Sequence, residues 1–218
     1  MSEKPEQQPI IVIERARLSF PRIFTAQYRT DPKTGERKGK AKYSATLLLD
    51  PTDKGQAASI TVIKTAAFNA CLARWGSKEN FPKADPRTGM GGLILPFGNG
   101  NDLPKVYDGY KDMFFVKLSD TNPPAIGNLA GQFVKEGEPE CPYGGCYVRA
   151  RISAWTYART PQNPDSANGA NFNFRSLQFA GDGAAFGGGG VRTADEEFVN
   201  MAGDRKAATA ALDDDIAF

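Results

Sequence analysis

The sequence predicts a mainly β chain: an OB-type, five-stranded Greek-key barrel with one main helix, long loops and a disordered C-terminal tail. Three observations carry this expectation. About five segments alternate apolar and polar residues at the period of a strand, one segment repeats its apolar residues at helical spacing, and the connections are dense in Gly and Pro. A parallel α/β sheet would need a helix between most of its strands, and only one is in sight.

The first strand is read over Ile10 to Phe20, β-branched at its start and ended by Pro21, with Ala16, Leu18 and Phe20 on one face and Arg15, Arg17 and Ser19 on the other. Thr30 to Lys40 holds turn residues and the bases Lys33, Arg37, Lys38 and Lys40, so a mobile cationic loop is expected there. A second strand, Ala41 to Leu49, sets Tyr43, Ala45, Leu47 and Leu49 against Lys42, Ser44 and Thr46. After Asp50-Pro51, Thr52 or Asp53 can cap a helix running to about Trp75, since Ile60, Ile63, Ala67 and Cys71 recur at helical spacing. Residues 76 to 112 read as long loops around a short strand at Leu93 to Leu95. Met113 to Ser119 is the next strand. Cys146 to Tyr157 follows, the longest clear alternation in the chain, and Asn171 to Phe179 is the last strand. From Gly181 the glycine-rich run predicts a loss of order, because consecutive glycines cost much entropy to fix. The expected organisation is a flexible N-terminus over 1–9, the barrel over 10–180, and a linker with an acidic tail over 181–218.

Composition narrows the function. With 40% hydrophobic and 24% charged residues the chain is ordinary globular material, long enough at 218 residues for one sizeable core plus an appendage. It lacks an apolar run of membrane length, and Met1 to Pro9 is polar, so a cytoplasmic protein is expected. There is no histidine, which removes the commonest general base and the commonest metal ligand. The cysteines Cys71, Cys141 and Cys146 are too few for a four-ligand zinc site, the glycine strings lack a P-loop lysine, and the strands are nearly free of carboxylates. No catalytic residue, metal or cofactor is therefore assigned, and a non-enzymatic protein is expected.

The strand from 146 to 157 carries the strongest functional signal. One face is Cys146, Val148, Ala150, Ile152 and Ala154; the other presents Tyr147, Arg149, Arg151, Ser153, Trp155 and Tyr157. Single-stranded nucleic acid exposes both phosphates and unstacked bases, so a site for it needs cations together with flat rings, and this face has both. The competing reading puts Trp155 and Tyr157 in a second hydrophobic core. Tyr147, Trp155 and Tyr157 are the candidate stacking platforms; Arg149, Arg151, Arg15, Arg17, Lys40 and Lys42 are the candidate phosphate contacts. Tyr107 and Tyr110 could stack bases or serve as ordinary loop packing.

Charge is distributed unevenly. From Ala194 onward seven acids face two bases, a net of −5, which leaves 25 bases and 18 acids, a net of +7, in residues 1 to 193. A basic body with an acidic tail suits a protein that binds polyanions under restraint. The terminus Leu212-Asp-Asp-Asp-Ile-Ala-Phe218 adds an aromatic with a free carboxylate. Asp213, Asp214, Asp215, Ile216 and Phe218 are the expected partner-binding residues, the ring for an apolar pocket and the aspartates for steering.

This ending resembles the C-terminal tip of bacterial single-stranded DNA-binding proteins, with Ala217 where they have Pro and Leu212 where they have an aromatic. In the body, RLSFP (17–21), KYSATLLLD (42–50), YDGYKDMFFVKLSD (107–120) and YGGCYVRARISAWTY (143–157) resemble a group of phage-encoded single-stranded DNA-binding proteins. The resemblance implies an OB fold, a place in the host cytoplasm, protection of DNA during replication or recombination, and a tail that contacts replication or recombination enzymes. It fixes no individual DNA contact. Two alternatives stay open: a recombination protein that anneals complementary strands and tolerates duplex, and a protein-binding adaptor of the replisome. A homo-oligomeric state is also left open.

Overall fold

The computed structural model describes residues 9–31, 33–84, 92–105, 107, 109–159 and 167–186, with the side chain of Lys38 excepted. Its elements in chain order are β1 (Ile10–Thr30), β2 (Arg37–Leu49), α1 (Lys54–Trp75), β3 (Leu93–Ile94), β4 (Phe97–Asn99), β5 (Phe114–Asp120), β6 (Ala125–Gly127), β7 (Tyr147–Tyr157) and β8 (Asn168–Gly181). Two single-turn 3-10 helices lie at Lys78–Asn80 and Gly100–Asp102.

Five strands close a barrel. β1 pairs antiparallel with β2, and β2 with β5. β5 then meets β8 in parallel at Leu118 and Phe172, β8 pairs antiparallel with β7, and β7 returns to β1. This order, with its one parallel closure, is the OB arrangement expected from the sequence. The short strands β3, β4 and β6 extend the sheet from β8 and β5.

Alternation decides which side chains fill the barrel. Ile11, Ile13, Ala16 and Leu18 of β1 point inward with Ala45, Leu47 and Leu49 of β2, Val116 and Leu118 of β5, Val148, Ala150, Ile152 and Ala154 of β7, and Phe172, Phe174 and Leu177 of β8. Each large side chain fully withdrawn from water contributes about 1.5–3 kcal/mol, so this interior is the main source of stability. α1 adds Ile60, Ile63, Ala67, Ala70 and Cys71 to the same core. Its start is fixed by Asp53, whose carboxylate accepts from the Gln56 N–H at 2.9 Å, while the Gln56 side chain accepts from the Asp50 N–H. Its end is closed by Gly76 at φ 79°, whose N–H donates to Leu72 O.

Two differences from the expected elements matter below. β1 does not stop at Pro21: it continues to Thr30, pairs with β2 through irregular register, and projects a long hairpin whose second strand already begins at Arg37. Phe20 does not share the inward face of Ala16 and Leu18. A left-handed φ of 45° just before Pro21 turns its ring outward, 57% exposed, on the side where Ser19 is already buried beneath Tyr110. A non-glycine residue held there carries strain, which tends to collect at functional sites.

Candidate nucleic-acid interface

A band of polar residues crosses the outside of the barrel. Trp155 of β7 stands opposite Asn171 of β8. The Asn171 amide donates to Ser119 O at 2.9 Å, and the Ser119 hydroxyl donates back to Asn171 Oδ1 at 3.2 Å. Ser119 of β5 pairs with Ser44 of β2, and Ser44 with Arg22 of β1. Four strand spacings separate Trp155 from Arg22, about 19 Å along the surface. Small side chains keep the floor low, and the amide–hydroxyl exchange fixes it.

The two ends of this band differ. At one end Trp155, 37% exposed, packs against Tyr157 with ring centroids 5.7 Å apart. Tyr157 lies across Gly169, where a Cβ would collide with its hydroxyl, and burial pushes its phenol above the usual range. At the other end Arg22, Gln27, Tyr28, Arg29, Lys40 and Lys42 line a groove of about 470 Å³ that also reaches Ser44 and Ser119. Arg37 stacks its guanidinium 5.1 Å from the Tyr28 ring. Arg22, Arg29, Lys40 and Lys42 are exposed, and among the described residues no ion pair holds them. A floor of small polar groups between flat rings and exposed cations suits a strand with stacked bases and a charged backbone.

The nine candidate DNA contacts from the sequence fall into three groups. Trp155, Tyr157, Lys40 and Lys42 border the band. Arg149 and Arg151 lie further back along β7, where Arg149 binds Glu14 at 2.7 Å and Arg151 stands exposed. Tyr147, Arg15 and Arg17 form a separate stack: Arg15 lies 4.0 Å and Arg17 6.0 Å from the Tyr147 ring. Arg17 also donates to Gly145 O and Ala184 O and lies 4.1 Å from the Phe186 ring, so the segment after β8 occupies it. The separation is geometric, since eight residues of strand put Tyr147 about 26 Å from Trp155. Asp213, Asp214, Asp215, Ile216 and Phe218 lie outside the described residues.

Arg22, Tyr28, Arg29, Ser119 and Asn171 border the same band without having been candidates from the sequence, because the hairpin and the β5–β8 contact join residues far apart in sequence. Phe20 was misplaced, although Pro21 inside a strand was a usable signal for a bulge. Its ring meets Tyr107 edge-on at 5.2 Å, and both are exposed. Tyr110, by contrast, is buried against Leu48 and Phe115 and donates to the Ser19 hydroxyl. The three cysteines are free, and burial pushes the Cys146 thiol up to about 11. Among the described residues no cluster of three or more carboxylates and thiols could hold a metal.

A family model described as Enterobacter phage Enc34, ssDNA-binding protein, matches residues 9–208. Protein p50 of Acyrthosiphon pisum secondary endosymbiont phage 1 is 28% identical over 193 residues, covering 85% of this chain and 91% of its own. The bacteriophage Enc34 single-stranded DNA-binding protein, solved in complex with ssDNA, superposes with a TM-score of 0.61 at 20% identity, over 82% of this chain and 89% of that one. The bacteriophage T7 single-stranded DNA-binding protein gp2.5 gives 0.51 at 16% identity, over 88% and 97%. At these identities the solved structures speak for the fold.

Proposed function

This chain belongs to the family of the phage Enc34 ssDNA-binding protein, and from that premise we propose that it binds single-stranded DNA, without strong sequence preference, along the band from Trp155 to Arg22. The observation that carries the proposal is the band itself: flat rings at one end, exposed cations without an ion-pair partner among the described residues at the other, and a low polar floor between. Trp155 and Tyr157 stack bases; Arg22, Arg29, Lys40 and Lys42 neutralise phosphates. Stacking accepts every base, and the Asn171 amide is already engaged with Ser119, so little is left to read base edges.

The strand so held is protected during phage replication or recombination. Asp213, Asp214, Asp215, Ile216 and Phe218 form the docking motif for the enzymes of those processes: Phe218 is the apolar anchor and the aspartates steer it. The titration that tests the DNA assignment follows tryptophan fluorescence as the full chain meets oligothymidylate at two salt concentrations. Quenching is expected, with an affinity that falls by roughly 0.7 log units per log unit of salt for each phosphate held. A salt-independent affinity removes the cationic track. Deleting Phe218 should abolish capture of replication enzymes and leave DNA affinity unchanged; an equal loss of both refutes the division of labour.

A further inference from the structure

The outer face of β7 does not end at the band, and what lies behind Trp155 is unaccounted for by the groove. β6 and the residues after it form a tight turn against β8. Asn128 accepts the Gln132 N–H on its side chain at 2.8 Å, Val134 N–H donates to Ile126 O, and the Gln178 amide donates to Leu129 O at 3.1 Å. The Leu129 N–H is in turn taken by Glu140. On this pinned turn Phe133 bridges Gly127 and holds its ring 84% exposed, the most exposed large apolar side chain described. The ring stands over a shallow pocket of about 230 Å³, shared with Arg149, Arg151, Ser176 and Gln178. Arg149 is engaged by Glu14, while Arg151 has no partner among the described residues. An ordered turn that exposes a phenyl ring beside an unpaired guanidinium offers the two contacts one nucleotide needs, a stacking face and a phosphate cation.

We propose that Phe133 and Arg151 form a second nucleotide-binding station, taking one unit of the same single strand after it leaves the groove at Trp155. Four residues of β7 separate Arg151 from Trp155 on one outer face, about 13 Å, so a strand passing Trp155 is directed along β7 towards the pocket. A peptide that brings its own aromatic anchor is the weaker fit, because such an anchor needs a concave, desolvated socket and this site is shallow with a ring that projects from it. The station rests on the groove binding single-stranded DNA, and it lengthens the strand that one chain covers.

The test compares oligothymidylates of about six and about sixteen nucleotides, within the range that one OB fold covers. The proteins are the full wild-type chain, Phe133→Ala, Arg151→Ala and Trp155→Ala, each checked by circular dichroism. The station predicts that Phe133→Ala and Arg151→Ala bind the short strand as the wild type does and lose about tenfold on the long one. Trp155→Ala should weaken both. Equal affinity of the Phe133 and Arg151 variants for the long strand overturns the station, as does an equal loss on both lengths. If an acidic peptide of sequence LDDDIAF binds wild type but not Phe133→Ala, while the long strand is bound equally by both, the pocket belongs to a protein. Should Trp155→Ala leave both lengths unaffected, the groove reading fails instead.

Discussion

The outer surface of β1, β2 and β5 has two halves that share strands and alternation yet end in different states. In one half Leu48 and Phe115, paired across β2 and β5, are covered by Tyr110, with Leu103, Met113 and Phe186 packed around them. Phe186 fits there because Gly109, at φ 76°, has no Cβ to collide with its ring. In the other half Ser44 and Ser119 occupy the equivalent outward positions and stay uncovered. The same difference separates the cations: Arg17 is capped by the Ala184 carbonyl, whereas Lys42 faces solvent. An outward residue is thus available to a ligand only where no loop closes over it. Outwardness alone, which alternation predicts, does not distinguish the halves.

The largest expected effect lies in the covered half. Leu48→Ala should destabilise the fold by roughly 2–5 kcal/mol, as for a side chain in a barrel interior. Its open-half counterpart, Ser44→Ala, should stay within about 0.5 kcal/mol. Denaturant melts of the two variants measure this contrast, and similar costs would erase it. Next comes Trp155→Ala, expected to weaken single-stranded DNA binding by about 1–3 kcal/mol while the melt stays near wild type, because the ring borders the open band. Unfolding of this variant would move Trp155 to the covered category. A small effect is also expected at Glu14→Gln, which releases Arg149 from an exposed pair worth about 0–1 kcal/mol and should shift stability by no more than that.

The faces of β7 were legible because eleven residues of uninterrupted alternation leave one arrangement in which Val148, Ala150 and Ile152 are inside. The helix was legible from spacing and from Asp53 at its cap. Phe20 was not, since a single residue in a left-handed conformation reverses the face and leaves no mark on the periodicity. β4 and β6, three residues each, are too short to show any period. The band was illegible for another reason. It depends on β8 closing against β5 and on β1 and β2 pairing beyond the barrel, which bring Asn171, Ser119, Ser44 and Arg22 into one row. Residue type marked Lys40, Lys42 and Trp155 as candidates, but it marked Arg17 and Tyr147 equally, and only the course of residues 182–186 tells them apart.

The most direct test is the salt dependence of single-stranded DNA affinity for Lys42→Ala and Arg17→Ala, measured side by side with wild type. Each phosphate that a variant no longer neutralises lowers the slope of log affinity against log salt by roughly 0.7. Lys42→Ala should show about one such decrement, and Arg17→Ala, whose guanidinium is already engaged by the chain, should keep the wild-type slope. A full decrement for Arg17→Ala with none for Lys42→Ala would contradict the assignment of the DNA track to the open half.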